Sequence, residues 1–382
     1  MPAPSKPAPS PPETPLLTLL RRQIAAEGPV SVAAFMDLAL NHPEHGYYRT
    51  RDPFGAGGDF ITAPEISQVF GELLGLWLAT AWQEAGRPDP FVLAELGPGR
   101  GQLMADLLRA TRKVPGFVEA ADLHLVETSE RLRDLQRARL QGHEIHWHEH
   151  LDTVPGGPLF LIANEVFDAL PAHQLLRTEY GWAERQVICG DDGALVFTEG
   201  APPADLLQCV VELDGVQPGE IAEVSPAREA LACRIGERLR REGGIAAVID
   251  YGGSPATATG DTLQAVRDHQ PVDPLTAPGE VDLTTQIDFR RLGRAAAEGG
   301  ADVFGPVPQG TFLRTLGIEI RMAALLSTAG KDQQRALREA LFRLTDASAM
   351  GEVFKVLVFA SPAGPPPPGF GAPSLRGTPP SP

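Results

Sequence analysis

The sequence predicts an α/β fold built on a parallel sheet, and three stretches carry that prediction. The apolar run Phe91-Val92-Leu93-Ala94-Glu95-Leu96 leads into Gly97, Gly99 and Gly101, and the helical period Leu103, Leu107, Leu108 follows. That pattern is a buried strand, a glycine loop and a helix. Pro158 to Ala163 is a continuous apolar run suited to the middle of a parallel sheet covered on both faces. Ile245 to Ile249 follows a helix over 226–241 and the helix stop Gly243-Gly244, and ends in Asp250-Tyr251-Gly252.

The chain has 382 residues, enough for one large domain or two moderate ones, and its 43% hydrophobic content permits a sizeable core. No apolar run reaches the roughly 18 residues of a membrane span, and no apolar signal-peptide core stands at the N-terminus. A soluble, intracellular protein is expected. Cys189, Cys209 and Cys233 are odd in number and widely spaced, which argues against a disulfide framework or a Cys-x-x-Cys metal site. The formal net charge of -16 disfavours nucleic acid as a partner, because neutralising phosphate dominates that affinity, and suits a cationic partner better.

Residues 1–15 are crowded with Pro, Ala and Ser and read as a disordered tail. Lys6 is present there without arginine, which counts against a transit peptide and favours the cytoplasm over the mitochondrial matrix. Two amphipathic helices open a helical region over 16–90: Leu16, Leu19, Leu20 and Ile24 recur until Gly28-Pro29, and Ser31 caps a second helix carrying Phe35, Leu38 and Ala39. Gly57-Gly58-Asp59-Phe60 invites comparison with diguanylate cyclases but continues with Ile61-Thr62, without the further acid and phenylalanine. A long apolar helix then passes through Trp77 and Trp82.

The main domain is expected over 91–360. A second strand, Leu123 to Val126, ends in Glu127, and a third lies within 143–148. From Ala172 the pattern turns to short alternating segments with turn signals, an antiparallel β element inserted at about 172–223. The loop-rich stretch 260–289 is long for an inert connection and suggests a lid or substrate loop. Helices near 286–297, 312–326 and 331–344 and a strand over 353–359 follow. Residues 361–382, with four consecutive prolines, read as a second extended or disordered tail.

The candidate ligand site lies at the strand ends. A dinucleotide fingerprint would place its last glycine where Gln102 stands, and no Gly-Lys-Ser/Thr closes a phosphate loop. An acid, one residue, then Gly-x-Gly-x-Gly resembles the first motif of class I methyltransferases, which bind S-adenosylmethionine. On that resemblance Gly97, Gly99 and Gly101 let the backbone approach the methionine part of the cofactor, and Glu95 helps hold its amino group. Glu127, at the tip of the second strand, can accept from both ribose hydroxyls. Asn164, Glu165 and Asp168 end the Pro158 run, where open α/β sheets bind ligands, and should face the transferable methyl group. Glu165 and Asp168 stand three apart, so a helical turn would let both carboxylates clamp one planar cation. Asp250 and His269 are reserve candidates; Asp59, Thr62 and Gln68 precede a helix that could cover the cofactor. His146, His148 and His150 alternate on one strand, where they diverge rather than converge on a metal, so no metal is expected.

Several blocks in one order resemble the MidA-like methyltransferases, a family that includes an assembly factor of mitochondrial complex I that modifies arginine. They are Gly57 to Gln68 with Phe70-Gly71-Glu72, Glu95 to Gly101, Asn164 to Pro171, Ile249 to Gly252, His269, Asp282-Leu283-Thr284 and Met350 to Lys355. The resemblance spans about 16–360. It implies a Rossmann-like, seven-stranded class I methyltransferase sheet with N-terminal helices and an inserted antiparallel β element. It further implies S-adenosylmethionine as cofactor and a protein arginine, of a complex I subunit or its bacterial counterpart, as acceptor. A small-molecule acceptor, or a non-catalytic assembly protein keeping the fold, are the alternatives.

Overall fold

The computed structural model describes residues 13–51, 61–210, 215–253, 260–362 and 364–377. The expected N-terminal tail, apart from its last residues, and the Gly57 to Phe60 block with Asp59 lie outside them. The described residues divide into two compact units. The expected helical region 16–90 is shared between the two: its part up to Pro53 falls in one, and its part from Phe54 in the other.

The larger unit draws on Phe54–Leu170, Pro226–Ala258 and Gln286–Pro382. Its strands are β1 (Phe91–Leu96), β2 (Ala121–Val126), β3 (His146–His148), β4 (Leu159–Asn164), β5 (Gly244–Gly253), β6 (Ile287–Asp288), β7 (Asp302–Pro308) and β8 (Phe354–Ala360). They form one eight-stranded sheet in the order β7-β8-β5-β4-β1-β2-β3, with β6 paired to the end of β5. β8 runs antiparallel to both neighbours and the other pairings are parallel. The sheet thus has one strand more than expected, the two-residue β6.

Alternation sends each strand's residues to two apolar layers. Phe91 and Leu93, Phe160 and Ile162, Ile245 and Ala247 enter one layer, under helices α1 (Gln68–Glu84) and α2 (Gln102–Thr111). Val92 and Ala94, Leu159 and Leu161, Ala246 and Val248 enter the other, under α4 (Pro226–Glu242) and α5 (Phe289–Glu298); α3 (Glu130–Arg139) lies between β2 and β3 in sequence. Gly75 of α1 lets that helix close on α2, for a Cβ there would stand 2.9 Å from Leu107 Cα. β7 escapes the sequence reading because Gly305-Pro306 interrupts its alternation, at the register break between Phe304 and Val307. The helix expected over 312–326 is two, Gln309–Thr315 and Ile318–Leu326, divided at the left-handed Gly317.

The C-terminal tail reading needs correction. Trp77 Nε1 donates to Pro368 O at 3.0 Å, Leu375 bridges to Val303, and the Phe370 ring meets Phe304 edge-on and Phe312 at a tilt. Composition misled because two apolar residues suffice to anchor an otherwise proline-rich strap.

The smaller unit draws on the described residues of Met1–Pro53, Pro171–Ser225 and Thr259–Thr285. Its first helix, Pro15–Glu27, is capped by Thr14, whose Oγ1 accepts from Leu17 N at 3.0 Å. That helix buries Leu17 with Leu16, Leu20 and Ile24, while Leu19, expected in the buried stripe, stays 37% exposed. Ser31 caps the second helix, Val32–Asn41, through a bond from Ala34 N at 3.1 Å. Strands 173–178, 181–189, 195–200 and 221–224 join Val30–Ser31 in an antiparallel sheet of five. The stretch expected as a lid or substrate loop carries three short strands, 264–267, 270–272 and 282–284, paired as a second small sheet.

Removing the Phe370 ring should lower the unfolding free energy by about 2 kcal/mol, as for other partly buried aromatic truncations. Urea denaturation of Phe370→Ala checks this; an unchanged midpoint would restore the reading of a loose tail.

Candidate active site at the carboxyl ends of the strands

The loop after β1 turns through three left-handed glycines, with φ of 58° at Gly97, 51° at Gly99 and 75° at Gly101. Gly97 N donates to Val126 O at 3.0 Å, and a Cβ on Gly97 would stand 2.7 Å from Val166 Cγ2. An L side chain there meets both backbone strain and a clash. The turn delivers the chain into α2 with the amides of its first turn at the end of the sheet.

Register brings three polar side chains onto one face of that end. Glu95 pairs with Leu125 on one side and Ile162 on the other, and Glu127 and Asn164 each lie two residues beyond those partners. Glu95 is 3% exposed and accepts a hydrogen bond from the Met104 backbone N–H; burial, with help from the Glu127 charge, pushes its carboxyl up to about 8. Glu127 Oε1 accepts from Ser129 N at 2.8 Å and Oε2 from Gln136 Nε2 at 3.3 Å, and burial raises its pKa as well. Among the described residues no donor reaches Glu95 Oε2 or Asn164 Oδ1, both buried. Two orphaned acceptors on adjacent strands suit a ligand that brings N–H groups of its own.

Residues 165–170 form a chain of bends and a turn, not the helical turn that was anticipated. Asp250, wholly buried at the end of β5, accounts for this. Its Oδ2 accepts from Phe167 N at 3.0 Å and Asp168 N at 3.2 Å, and its Oδ1 from Tyr251 N at 2.9 Å. Arg228 of α4 holds the same loop by its carbonyls, Nε donating to Phe167 O at 2.6 Å and Nη2 to Asp168 O at 2.9 Å. The reserve candidate Asp250 is therefore a loop-fastening group. Arg228 was missed altogether, since an arginine on an amphipathic helix reads as solvated.

Within that loop Glu165 adopts a left-handed backbone, φ 53°, rare for a non-glycine residue. Its Oε1 accepts from Asn164 Nδ2 at 2.9 Å and Ala63 N at 3.2 Å. Burial pushes its carboxyl up to about 7, and Asp168, 7% exposed, up to about 6 against the pull of Arg228. Burial and the neighbouring Asp168 charge raise Asp250 well above the usual carboxylate range.

The remaining candidates lie elsewhere or have local duties. His269 sits exposed at the tip of the hairpin between strands 264–267 and 270–272, where both Asp268 and His269 have positive φ. Thr62 precedes the short helix Ala63–Ile66, and Gln68 begins α1 behind the cap Ser67. His148 Nε2 lies 2.9 Å from His124 Nδ1 and its Nδ1 2.9 Å from Thr153 Oγ1, while His146 approaches Asp122 at 3.5 Å. Among the described residues no set of three or more His, Cys, Asp or Glu is placed to hold a metal.

A family described as "Putative S-adenosyl-L-methionine-dependent methyltransferase" matches residues 73–307, a range that contains every one of these strand ends. The chain belongs to this family. A Burkholderia thailandensis protein solved with bound S-adenosyl-homocysteine superposes with a TM-score of 0.79 at 28% identity, over 90% of this chain and 91% of that one. Protein arginine methyltransferase NDUFAF7, mitochondrial, of Rattus norvegicus is 38% identical over 379 residues, covering 92% of this chain and 85% of its own. The Homo sapiens protein of the same name is 36% identical, covering 90% of this chain and 82% of its own.

Those names overturn the expectation of a cytoplasmic protein, since both relatives are mitochondrial. The expectation rested on the composition of one short segment, residues 1–15, against which stand relatives matched over nine-tenths of the chain. Among the described residues no helix is long and apolar enough to cross a membrane.

A carboxyl with a raised folded pKa holds its proton to higher pH in the folded chain than in the unfolded one. Its stabilising contribution is therefore full below the unfolded value and is lost as pH rises through the folded value. Glu95, lifted from 4.5 to about 8, sets the window. Wild type should lose up to about 4 kcal/mol relative to Glu95→Gln between pH 5 and 8, at about 1.4 kcal/mol per unit. Parallel urea titrations measure the difference; curves that stay parallel across this range would show Glu95 to be ordinary.

Proposed function

We propose that this chain transfers a methyl group from S-adenosylmethionine to an arginine side chain of a protein, a subunit of respiratory complex I or its bacterial counterpart being the acceptor. The observation that carries the reading is the pair of raised carboxyls, Glu165 and Asp168, beside a strand-end face with two orphaned acceptors. The arginine specificity named for the mammalian relatives supports it. In this reading β1–β5, β7 and β8 are the seven strands of a Rossmann-like class I sheet, β6 is an added pairing, and 172–223 is the inserted element within a 91–360 catalytic domain.

The cofactor brings an electrophilic methyl group on a sulfonium sulfur. Glu95 and Asn164 accept from its amino group, their free oxygens being placed for N–H donors. Glu127, fixed by bonds from Ser129, Thr128 and Gln136, offers its remaining acceptor capacity to the ribose hydroxyls. Gly97, Gly99 and Gly101 allow the main chain to lie against the ligand without side chains in the way.

Glu165 and Asp168 then orient the acceptor. An arginine has a reference pKa of about 12.5 to 13.8, so it arrives protonated and must shed a proton as its nitrogen gains the methyl. Paired carboxylates hold the guanidinium by its N–H groups and direct one nitrogen in line, where alignment supplies most of the acceleration. Glu165, with its carboxyl at about 7, is matched to accept the proton near neutral pH.

Mass spectrometry of candidate complex I subunits, with and without the protein and S-adenosylmethionine, should find monomethyl- or dimethylarginine only in the complete mixture. Methylation appearing solely on metabolites would replace the acceptor. Glu165→Gln should keep cofactor affinity within about twofold while cutting kcat by about 100-fold or more. Unchanged turnover in that variant removes Glu165 from the chemistry. Because both carboxyls must ionise to bind a cation, wild-type kcat/KM should climb between about pH 5.5 and 7.5.

A further inference from the structure

We infer that Gln136 is the positioning residue that sets cofactor affinity, acting through Glu127 and the glycine loop; the inference rests on the cofactor reading above. Gln136 lies on α3, is wholly buried, and joins three separate elements of the strand-end site. Trp147 Nε1, on the edge strand β3, donates to Gln136 Oε1 at 2.8 Å. An indole nitrogen can only donate, so this bond decides which end of the amide is oxygen. The amide nitrogen therefore faces the site. There it donates to Gly99 O at 2.7 Å and to Glu127 Oε2 at 3.3 Å.

Each bond has a consequence for a ligand. The bond to Gly99 O holds the middle glycine of the turn, and the backbone of Gly101 packs on the same side chain, a Cβ there standing 3.4 Å from Gln136 Cγ. The bond to Glu127 Oε2, with the Ser129 amide on Oε1 and a further main-chain bond from Thr128, fixes the plane of the carboxylate, so that its remaining acceptor capacity meets a ribose hydroxyl in one orientation. Without the Gln136 donor Oε2 loses its side-chain partner, and the carboxylate, held by main-chain amides alone, is less firmly oriented toward the ribose. Arg133 bonds Glu127 at its main-chain carbonyl, through Nε at 2.9 Å and Nη2 at 2.5 Å, and turns Nη1 to Glu130 Oε1 at 2.7 Å. It cannot replace the amide at the carboxylate.

Two variants and two ligands test this by calorimetry on the full chain, with circular dichroism to confirm folding. Gln136→Met keeps the volume and removes both donors. Gln136→Glu keeps the acceptor for Trp147 and removes the donors while the new carboxyl is ionised. S-adenosylhomocysteine and its 2′-deoxyribose analogue report the ribose contact. Gln136→Met should bind S-adenosylhomocysteine about 10- to 100-fold more weakly than wild type, the range for lost hydrogen bonds to a charged group. The wild-type preference for ribose over deoxyribose should shrink to within about threefold, since the partner that reads the hydroxyl is no longer held. Gln136→Glu should bind poorly at pH 8 and recover on lowering the pH, when its protonated carboxyl can donate to Glu127. That recovery supports the inference where the preference for ribose over deoxyribose returns with it and opposes it where both ligands recover equally, and it serves if Gln136→Met does not fold. Equal weakening of both ligands with the ribose preference intact, or affinity within twofold of wild type, overturns the inference alone. Failure of wild type to bind S-adenosylhomocysteine overturns the cofactor reading and the inference together.

Discussion

The site depends on a turn that alternates left-handed glycines across five residues. With φ near 60° at Gly97, Gly99 and Gly101, the chain leaves β1, folds back under Val166 and enters α2 without a side chain in the cleft. The same turn buries Glu95 and hands it the Met104 amide as a donor. A residue with a Cβ at 97 would push against the loop that carries Glu165 and Asp168, so the Glu95 face and the 165–168 loop share one steric constraint. The close approach of Gly97 to Val166 is where the two meet.

Five buried or half-buried carboxyls gather at these strand ends, and their partners differ in kind. Asp250 has three main-chain amides and no exposure, so it is fully used in holding the 165–168 loop. Glu127 has the amides of Thr128 and Ser129 and one side-chain donor. Glu95 has a single main-chain donor and Glu165 one main-chain amide and the Asn164 side chain, both on one oxygen, and these two rise furthest into the neutral range among the carboxyls given a value. Burial that is poorly compensated by donors raises a pKa, and an incoming cation or N–H donor lowers it again. The under-compensated acids are thus the ones that gain most from a ligand, whereas Asp250 gains nothing and serves as framework.

Much of this was legible from residue order because it rests on local rules. The strand-loop-helix around Gly97, the apolar run before Asn164 and the Ile245 strand follow from periodicity and turn chemistry alone. Ser31 behaves as the cap it resembles. What stayed hidden needed contacts far apart in sequence. Gln136 reads as one more polar residue on a charged helix, and only the fold sets it between Gly99, Glu127 and Trp147. Arg228 reads likewise. The β7 strand was masked by Gly305-Pro306, and the strap through Phe370 by its prolines, because composition weighs the many residues that do not pack above the two that do. The helical turn imagined for Glu165 and Asp168 failed for a related reason, since spacing cannot foresee that Asp250 claims the amides a helix would have used.

Asn164 connects the two halves of the site more tightly than its spacing suggested. Its Nδ2 donates to Glu165 Oε1, which leaves Oδ1 turned to the face shared with Glu95. A flipped amide would set oxygen against carboxylate oxygen, an arrangement that an ionised Glu165 forbids and a protonated one tolerates. The charge on Glu165 therefore determines whether the cofactor face offers an acceptor or a donor at this position. A cationic amino group favours the acceptor, and so favours ionised Glu165, which is also the form that can hold a guanidinium.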